Sequence, residues 1–159
     1  MDLRRIRSGE HDAAGAVCVA AYEEFLTGAE DFYRERLLDV ATRDAQAEVW
    51  VAVEGRTVLG CVTHCPPGSD WREIGRDDEG EFRMLAVDPA ARGRGVGTAL
   101  ATLCEDMARA GGASAMVLSS LAEMTDAHRV YSRLGYVRDE SRDWSPAPGV
   151  HLIAFSKVF

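Results

Sequence analysis

The chain has 159 residues, a formal net charge of −8 and a hydrophobic fraction of 47%. That length suits one domain, residues 1–159, able to bury a sizeable core without disulfide or metal staples. The composition excludes disordered, fibrous and disulfide-dense classes, and the acidic balance argues against a nucleic-acid partner, whose phosphates require a basic surface.

In chain order, Leu3 to Arg7 alternates apolar and basic residues as a short strand would. Ser8 then offers a cap, Glu10 and Asp12 suit the positive end of a helix, and Ala14, Val17, Cys18, Ala21, Tyr22 and Phe25 recur at helical spacing. After Gly28, Asp31 can cap a second helix with Tyr33, Leu37, Val40 and Ala41 as its stripe. Glu48 to Glu54 and Val58 to Cys65 are β-branched runs joined by Gly55-Arg56-Thr57, a hairpin. Residues 66 to 80 carry Pro, Gly, Ser and Asp without periodicity and form a long surface loop of the kind that serves as a lid or insertion. Glu81 to Val87 is the next strand, ended by Asp88-Pro89. Arg92-Gly93-Arg94-Gly95-Val96-Gly97 opens a helix with Val96, Leu100, Leu103, Cys104 and Met107 on one face, closed by Gly111-Gly112. Ala115 to Leu118 is a short buried strand. Thr125 or Asp126 caps a helix with Ala127, Val130, Tyr131 and Leu134 inward, and Tyr136 to Arg142 and Val150 to Phe159 are final strands. The order β α α β β β α β α β β predicts a mixed α/β sheet with helices on its faces.

No window approaches the ~20 apolar residues of a membrane span, and Met1-Asp2-Leu3-Arg4-Arg5 lacks the apolar core of a signal peptide. The expectation is a soluble, cytoplasmic protein without a membrane partner. Cys18, Cys61, Cys65 and Cys104 form no C-x-x-C pair. On a strand, Cys61 and Cys65 would stand about 13 Å apart, too far to share a metal or a disulfide even with His64 between them, so no metal is expected. Lys157 is the one lysine, which removes the lysine of a nucleotide P-loop.

The glycine-rich turn carries the first chemistry. A strand running into alternating glycines and then a helix presents backbone N–H groups unscreened by Cβ atoms beside the positive helix end, which suits a phosphate. Arg92 and Arg94 add cationic donors. A tight turn that needs glycine only for its backbone angles is the plain alternative. A Rossmann fingerprint fails because Thr98 stands where its third glycine or alanine belongs, with no acidic residue some 20 positions on.

Arg92, Gly95 and Gly97 match R/Q-x-x-G-x-G/A at a helix start. Ala127 to Tyr136 is similar to A-x-x-x-Y-x-x-x-G-F/Y, with Tyr131 and Gly135 in place. Together with the element order over the whole chain, these residues resemble the GNAT superfamily of N-acetyltransferases. One departure is Met124, where many members carry asparagine. The resemblance implies a sheet of about seven strands flanked by four helices and splayed between the fourth and fifth strands. It also implies acetyl-CoA as acyl donor, with its pyrophosphate on the N–H groups of Gly93, Arg94, Gly95, Val96, Gly97 and Thr98 and its pantetheine along Leu85, Ala86 and Val87. Acyl transfer needs a deprotonated amine, stabilisation of an oxyanion and a proton for the thiolate. By the resemblance, the Leu85 N–H serves the oxyanion and Tyr131, otherwise a core aromatic, is the general acid. Glu81, otherwise the end of a solvated acidic run, is the candidate base, with Glu23 and Glu24 as rivals. His128 reads as a packing histidine and Cys104 as core. Trp71 reads equally as an acceptor lid or a loop anchor. The implied activity is transfer of acetyl to a primary amine, small-molecule or peptide, in a ternary complex. A non-catalytic CoA-binding module and an acyltransferase acting on a protein N-terminus are the alternatives, and homodimer formation, frequent in the family, is left open.

Overall fold

A computed structural model describes residues 1–26 and 32–159, so Gly28 and Asp31 lie outside the described residues. In chain order the elements are β1 (Asp2–Arg5), α1 (His11–Tyr22), α2 (Phe32–Leu38), α3 (Val40–Gln46), β2 (Glu48–Glu54), β3 (Thr57–Cys65) and β4 (Glu79–Val87). Then follow α4 (Val96–Ala110), β5 (Ala115–Leu121), α5 (Thr125–Arg133), β6 (Val137–Arg138), β7 (Trp144–Ala147) and β8 (Val150–Val158). The strands form one sheet in the order β1-β2-β3-β4-β5-β8-β6, with β7 also on β8. All described pairings are antiparallel except β4 with β5, a parallel pair whose crossover is α4.

The described elements exceed the expected seven strands and four helices for two local reasons. The second helix breaks at Asp39, whose carboxylate accepts the Thr42 N–H at 3.2 Å and so starts α3 anew. The break shifts the helical phase: Leu37 and Val40 are buried, while Ala41 is exposed. After Tyr136 the chain forms two short strands, β6 and β7, that both pair with β8.

Alternation along the strands divides the apolar residues between two layers. Val49, Val51, Cys61, Met84 and Ala86 face α1 to α3, whereas Ala52, Val62, Phe82 and Leu118 face α4 and α5 with Val96, Leu100 and Tyr131. Gly60 lies where α4 crosses the sheet: a Cβ there would sit 2.7 Å from the Ala86 carbonyl and 2.8 Å from Val96 Cγ1. This isolated glycine in a strand run is the sequence mark of close approach, and it sets the height of the α4 N-terminus over the sheet.

Ser8 does not cap α1 through its side chain; a 3₁₀ turn, Ser8–Glu10, precedes the helix. Glu10 instead accepts Arg4 Nη1 and Nη2 at 2.9 and 2.6 Å and the Arg7 N–H at 2.9 Å. The Arg4 hydrogen bonds hold its carboxyl at about 2, below the usual carboxylate range. A depressed folded-state value contributes stability that is present above the unfolded value near 4.5 and is lost as pH falls through the folded one. Between about pH 5 and 2, denaturant unfolding of the parent is therefore expected to lose more stability than that of Glu10→Gln. Parallel curves would remove Glu10 from the acid response.

Candidate functional site

The sheet opens at its centre. β4 and β5 pair only over Glu79–Glu81 with Ala115–Val117. Beyond that the strands part, and from Phe82 to Val87 the edge of β4 facing β5 has no strand beside it. In the pairing of β3 with β4, Cys61 opposes Ala86 and Thr63 opposes Arg83, so β4 carries one extra residue. The bulge coincides with Met84, whose φ of 51° is the one positive value at a non-glycine among the described residues. A bulge bends its strand and re-aims the side chains around it: Met84 and Ala86 turn to the α1 layer while Leu85 and Val87 turn to α4. Nothing in the local sequence signals it.

At the head of the opening, β4 runs into Asp88, whose carboxylate accepts the Ala90 N–H at 2.8 Å, and then into the glycine turn. Gly93 and Gly95 both have φ of 77°, and no protein atom lies within 4 Å of a Cβ built on either. Their freedom serves the left-handed backbone and leaves open space above it. Among the described residues, the N–H groups of Gly93, Arg94, Gly95, Val96, Gly97 and Thr98 have no hydrogen-bond acceptor. Several convergent donors at the positive end of a helix make a cradle for an anion, so these residues fit a pyrophosphate. Arg92 is exposed beside them. The Arg94 guanidinium is drawn away to Glu54 at 2.5 Å, which leaves its backbone N–H as its part of the cradle.

Tyr131 closes the α5 side of the opening. It lies in the last turn of α5, in an aromatic cluster with ring centres of Phe82, Tyr136 and Phe155 at 6.1, 6.0 and 5.7 Å. Burial raises its phenol above the ordinary value, so it carries its proton throughout the neutral range. On the α1 side stand Tyr22 and Tyr33, rings 6.0 Å apart. Beside them Arg83 pairs with Glu73 at 3.0 Å and donates to the Trp71 carbonyl at 3.0 Å. Burial raises the Glu73 carboxyl, against the pull of Arg83. Glu23 is exposed and pairs with Arg34 at 3.1 Å, and Glu24 is exposed at the foot of α1. None of Tyr22, Tyr33, Glu73 and Arg83 carries a motif, because only the fold brings them together.

Glu81 has a different place from the expected one. Its fully buried carboxylate accepts N–H groups from Glu73 at 2.9 and 3.2 Å, Ile74 at 3.2 Å and Gly75 at 2.7 Å. Its lone pairs are directed at the loop backbone, which it anchors. Residues 66 to 80 are accordingly fastened down. Arg72 donates to four carbonyls, Trp71 Nε1 reaches Gln46 Oε1 at 2.9 Å, and Arg142 grips Glu79 at 2.8 and 2.9 Å. Trp71 is thus a loop anchor. Glu81→Gln, which points an amide NH₂ at backbone donors, is expected to cost about 2–3 kcal/mol in denaturant unfolding. Unchanged stability with lost turnover would return Glu81 to the chemistry.

The remaining candidates are structural. His128 Nε2 lies 3.0 Å from the Leu121 carbonyl and 3.1 Å from Ser120 Oγ, with its ring over Phe155. Cys104 is buried, which pushes its thiol well up. Among the described residues no helix is long and apolar enough to cross a membrane.

Comparison with known proteins accords with this geometry. Residues 15–136 match the acetyltransferase (GNAT) family model. N-acetylaspartate synthetase of Danio rerio is 29% identical over 151 residues, 84% of this chain and 51% of that protein, so the chain spans about half the length of this relative. A GNAT-family acetyltransferase from Staphylococcus aureus Mu50 superposes with a TM-score of 0.78 at 11% identity, covering 99% of this chain and 98% of that one. The protein yncA from Salmonella typhimurium, solved with its cofactor acetyl-CoA, gives 0.67 at 19% identity over 99% and 92%. The parted strands, the N–H cradle and a family match over most of the length lead to one conclusion: this chain belongs to the GNAT family of acetyltransferases.

Proposed function

We propose that the chain is an acetyl-CoA-dependent N-acetyltransferase that moves the acetyl group to a primary amine by direct attack in a ternary complex. The observation that carries this reading is the parting of β4 from β5 above Glu81 and Val117, with the N–H cradle at its head. When bound, acetyl-CoA supplies the acetyl group as an activated thioester. The N–H groups of residues 93 to 98 hold its pyrophosphate, with Arg92 adding charge. The unpaired edge at Leu85, Ala86 and Val87 pairs with the pantetheine amides as a neighbouring strand would, and the Leu85 N–H, beside the bulge, meets the negative charge that develops on the carbonyl oxygen. Tyr131 gives its proton to the departing sulfur. With Glu81 engaged by the loop, Glu73 takes the proton of the amine; its carboxyl is raised toward the range useful for a base.

The acceptor side carries a positive charge at its rim. Arg36 is exposed over the Trp71 ring at 5.1 Å and the Phe32 ring at 5.9 Å; its charge reaches the Glu73 carboxyl, but no carboxylate lies within ion-pair distance of it among the described residues. Together with a relative named for making N-acetylaspartate, this favours an amine that also bears an acidic group. The test is thiol release from acetyl-CoA with aspartate and other acidic amines against neutral amines, polyamines and peptide N-termini. Release fastest with acidic amines is expected. Preference for polyamines would overturn the acceptor class. Failure of every amine, with CoA bound to folded protein, would overturn the activity in favour of a non-catalytic CoA-binding module.

A further inference from the structure

On α3, a buried cation lacks a carboxylate partner among the described residues. Arg43 of α3 is fully buried, and no carboxylate lies within ion-pair distance of it among the described residues. Its Nη1 donates to the carbonyls of Arg36 at 2.7 Å and Leu37 at 3.4 Å, at the C-terminal end of α2, while Nε has no partner. Its Nη2 lies 3.5 Å from Cys18 Sγ. Carbonyls at a helix end offer only partial negative charge, and an unpaired buried cation is costly. The ionisable group in direct contact with the guanidinium is the Cys18 thiol, which can become a full anion. Cys18 Sγ in turn lies 3.2 Å from Cys61 Sγ of β3, and both cysteines are buried.

We propose that Cys18 and Cys61 are a redox-active pair, with the Arg43 guanidinium beside Cys18 favouring it as the attacking sulfur, and that a hydroperoxide converts the pair into a disulfide stapling α1 to β3. The Cys18 thiolate attacks a peroxide oxygen, the O–O bond breaks, and the other oxygen leaves as water or alcohol on taking a proton. Cys18 is then a sulfenic acid. The Cys61 sulfur attacks Cys18 Sγ, the S–S bond forms, the S–O bond breaks, and hydroxide leaves as water with the Cys61 proton. The two sulfurs lose two electrons and one peroxide gains them. The division of roles follows from the surroundings: the hydrogen bond from Cys61 and the charge of Arg43 lower the Cys18 thiol, while the same contact and burial raise Cys61. Closing from 3.2 Å to a bond of about 2.05 Å asks for a movement of only ~1 Å. Because both sulfurs are covered, the rate follows local opening of α1 from the sheet.

The location gives the bridge a consequence that rests on the acetyltransferase reading above. Cys61 is the cross-strand partner of Ala86, on the edge assigned to pantetheine, and Cys18 lies one turn before Tyr22 on the acceptor wall. A bridge fixes that wall to the sheet. The chemistry itself is measured without any activity.

The test treats the folded chain with hydrogen peroxide, then denatures, alkylates and weighs it. The expected product has lost two hydrogens and keeps two alkylatable thiols of the four cysteines. Its digest joins the Cys18 and Cys61 peptides, and its thermal midpoint rises by on the order of 10 °C, reversed by dithiothreitol. Cys104→Ser behaves as the parent, and Cys61→Ser forms no bridge. Four free thiols after treatment, or a bridge through Cys65 or Cys104, overturns the proposal. Arg43→Gln is expected to oxidise about tenfold more slowly or less readily still, and oxidation at the parent's rate overturns the role of Arg43. Should that variant not fold, the pH dependence of the parent's oxidation decides. Arg43, Cys61, Tyr22 and Tyr33 are the titratable groups around Cys18. A pre-formed thiolate reacts at a nearly constant rate between about pH 6 and 8, whereas a rise of about tenfold per unit, the mark of an ordinary thiol, overturns its thiolate state.

Discussion

Replacing Tyr131 by phenylalanine is expected to lower turnover by about 10²-fold or more while leaving the affinity for CoA unchanged. The substitution removes one oxygen and keeps the ring that packs among Phe82, Tyr136 and Phe155, so the cluster and the position of α5 survive. Among the described residues no hydrogen bond holds the phenol, and burial raises its proton affinity. A protonated phenol without an internal partner is free to donate to a sulfur placed against it. Its loss should therefore appear in the chemical step and not in ground-state binding. Steady-state kinetics with a saturating amine and CoA titration by calorimetry separate the two. Unchanged turnover would remove Tyr131 from the mechanism and leave it a core aromatic.

Gly95→Val should have the opposite signature, weakening CoA by about 10- to 100-fold, or roughly 1.4–2.7 kcal/mol. A Cβ there meets no protein atom within 4 Å, so the side chain projects into the space over the N–H groups where the pyrophosphate is proposed to lie. The φ of 77° adds strain of about 1–2 kcal/mol for a side-chain-bearing residue, which lowers the thermal midpoint by about 2–8 °C. Gly112, at φ 87° with equally open surroundings, stands at the far end of α4. Gly112→Val therefore imposes the same strain without touching the cradle and should leave CoA affinity intact. Equal loss of affinity in both variants would show that strain, and not occupation of the cradle, is at work.

Much of this architecture was legible in one dimension because its determinants are local. The glycine turn shows itself through three closely spaced glycines before a strongly periodic helix, and α4 begins where that pattern places it, at Val96. Tyr131 is recognisable from its spacing to Gly135. The boundaries that slipped did so for tertiary reasons. β5 continues to Leu121 since β8 pairs with it along its whole length, and the helix after the undescribed residues breaks at Asp39, where a side-chain cap competes with continuation.

What the sequence could not determine depends on residues far apart meeting. Glu81 reads as the end of a charge run because Asp77, Asp78 and Glu79 precede it. Only the folded loop brings the N–H groups of Glu73, Ile74 and Gly75 to its carboxylate and turns a candidate base into an anchor. The bulge at Met84 has no propensity signal, since it shows only in the pairing of β4 with β3. Cysteine spacing correctly separates Cys61 from Cys65, yet says nothing of Cys18, which helix packing sets 3.2 Å from Cys61 beside the buried Arg43. Composition, periodicity and short motifs determined the main strands, the helices and the glycine turn, each written in contiguous residues. The grouping of Tyr22, Tyr33, Glu73 and Arg83, the loop anchor and the cysteine pair arise from contacts between distant residues, so the tertiary structure alone decided them.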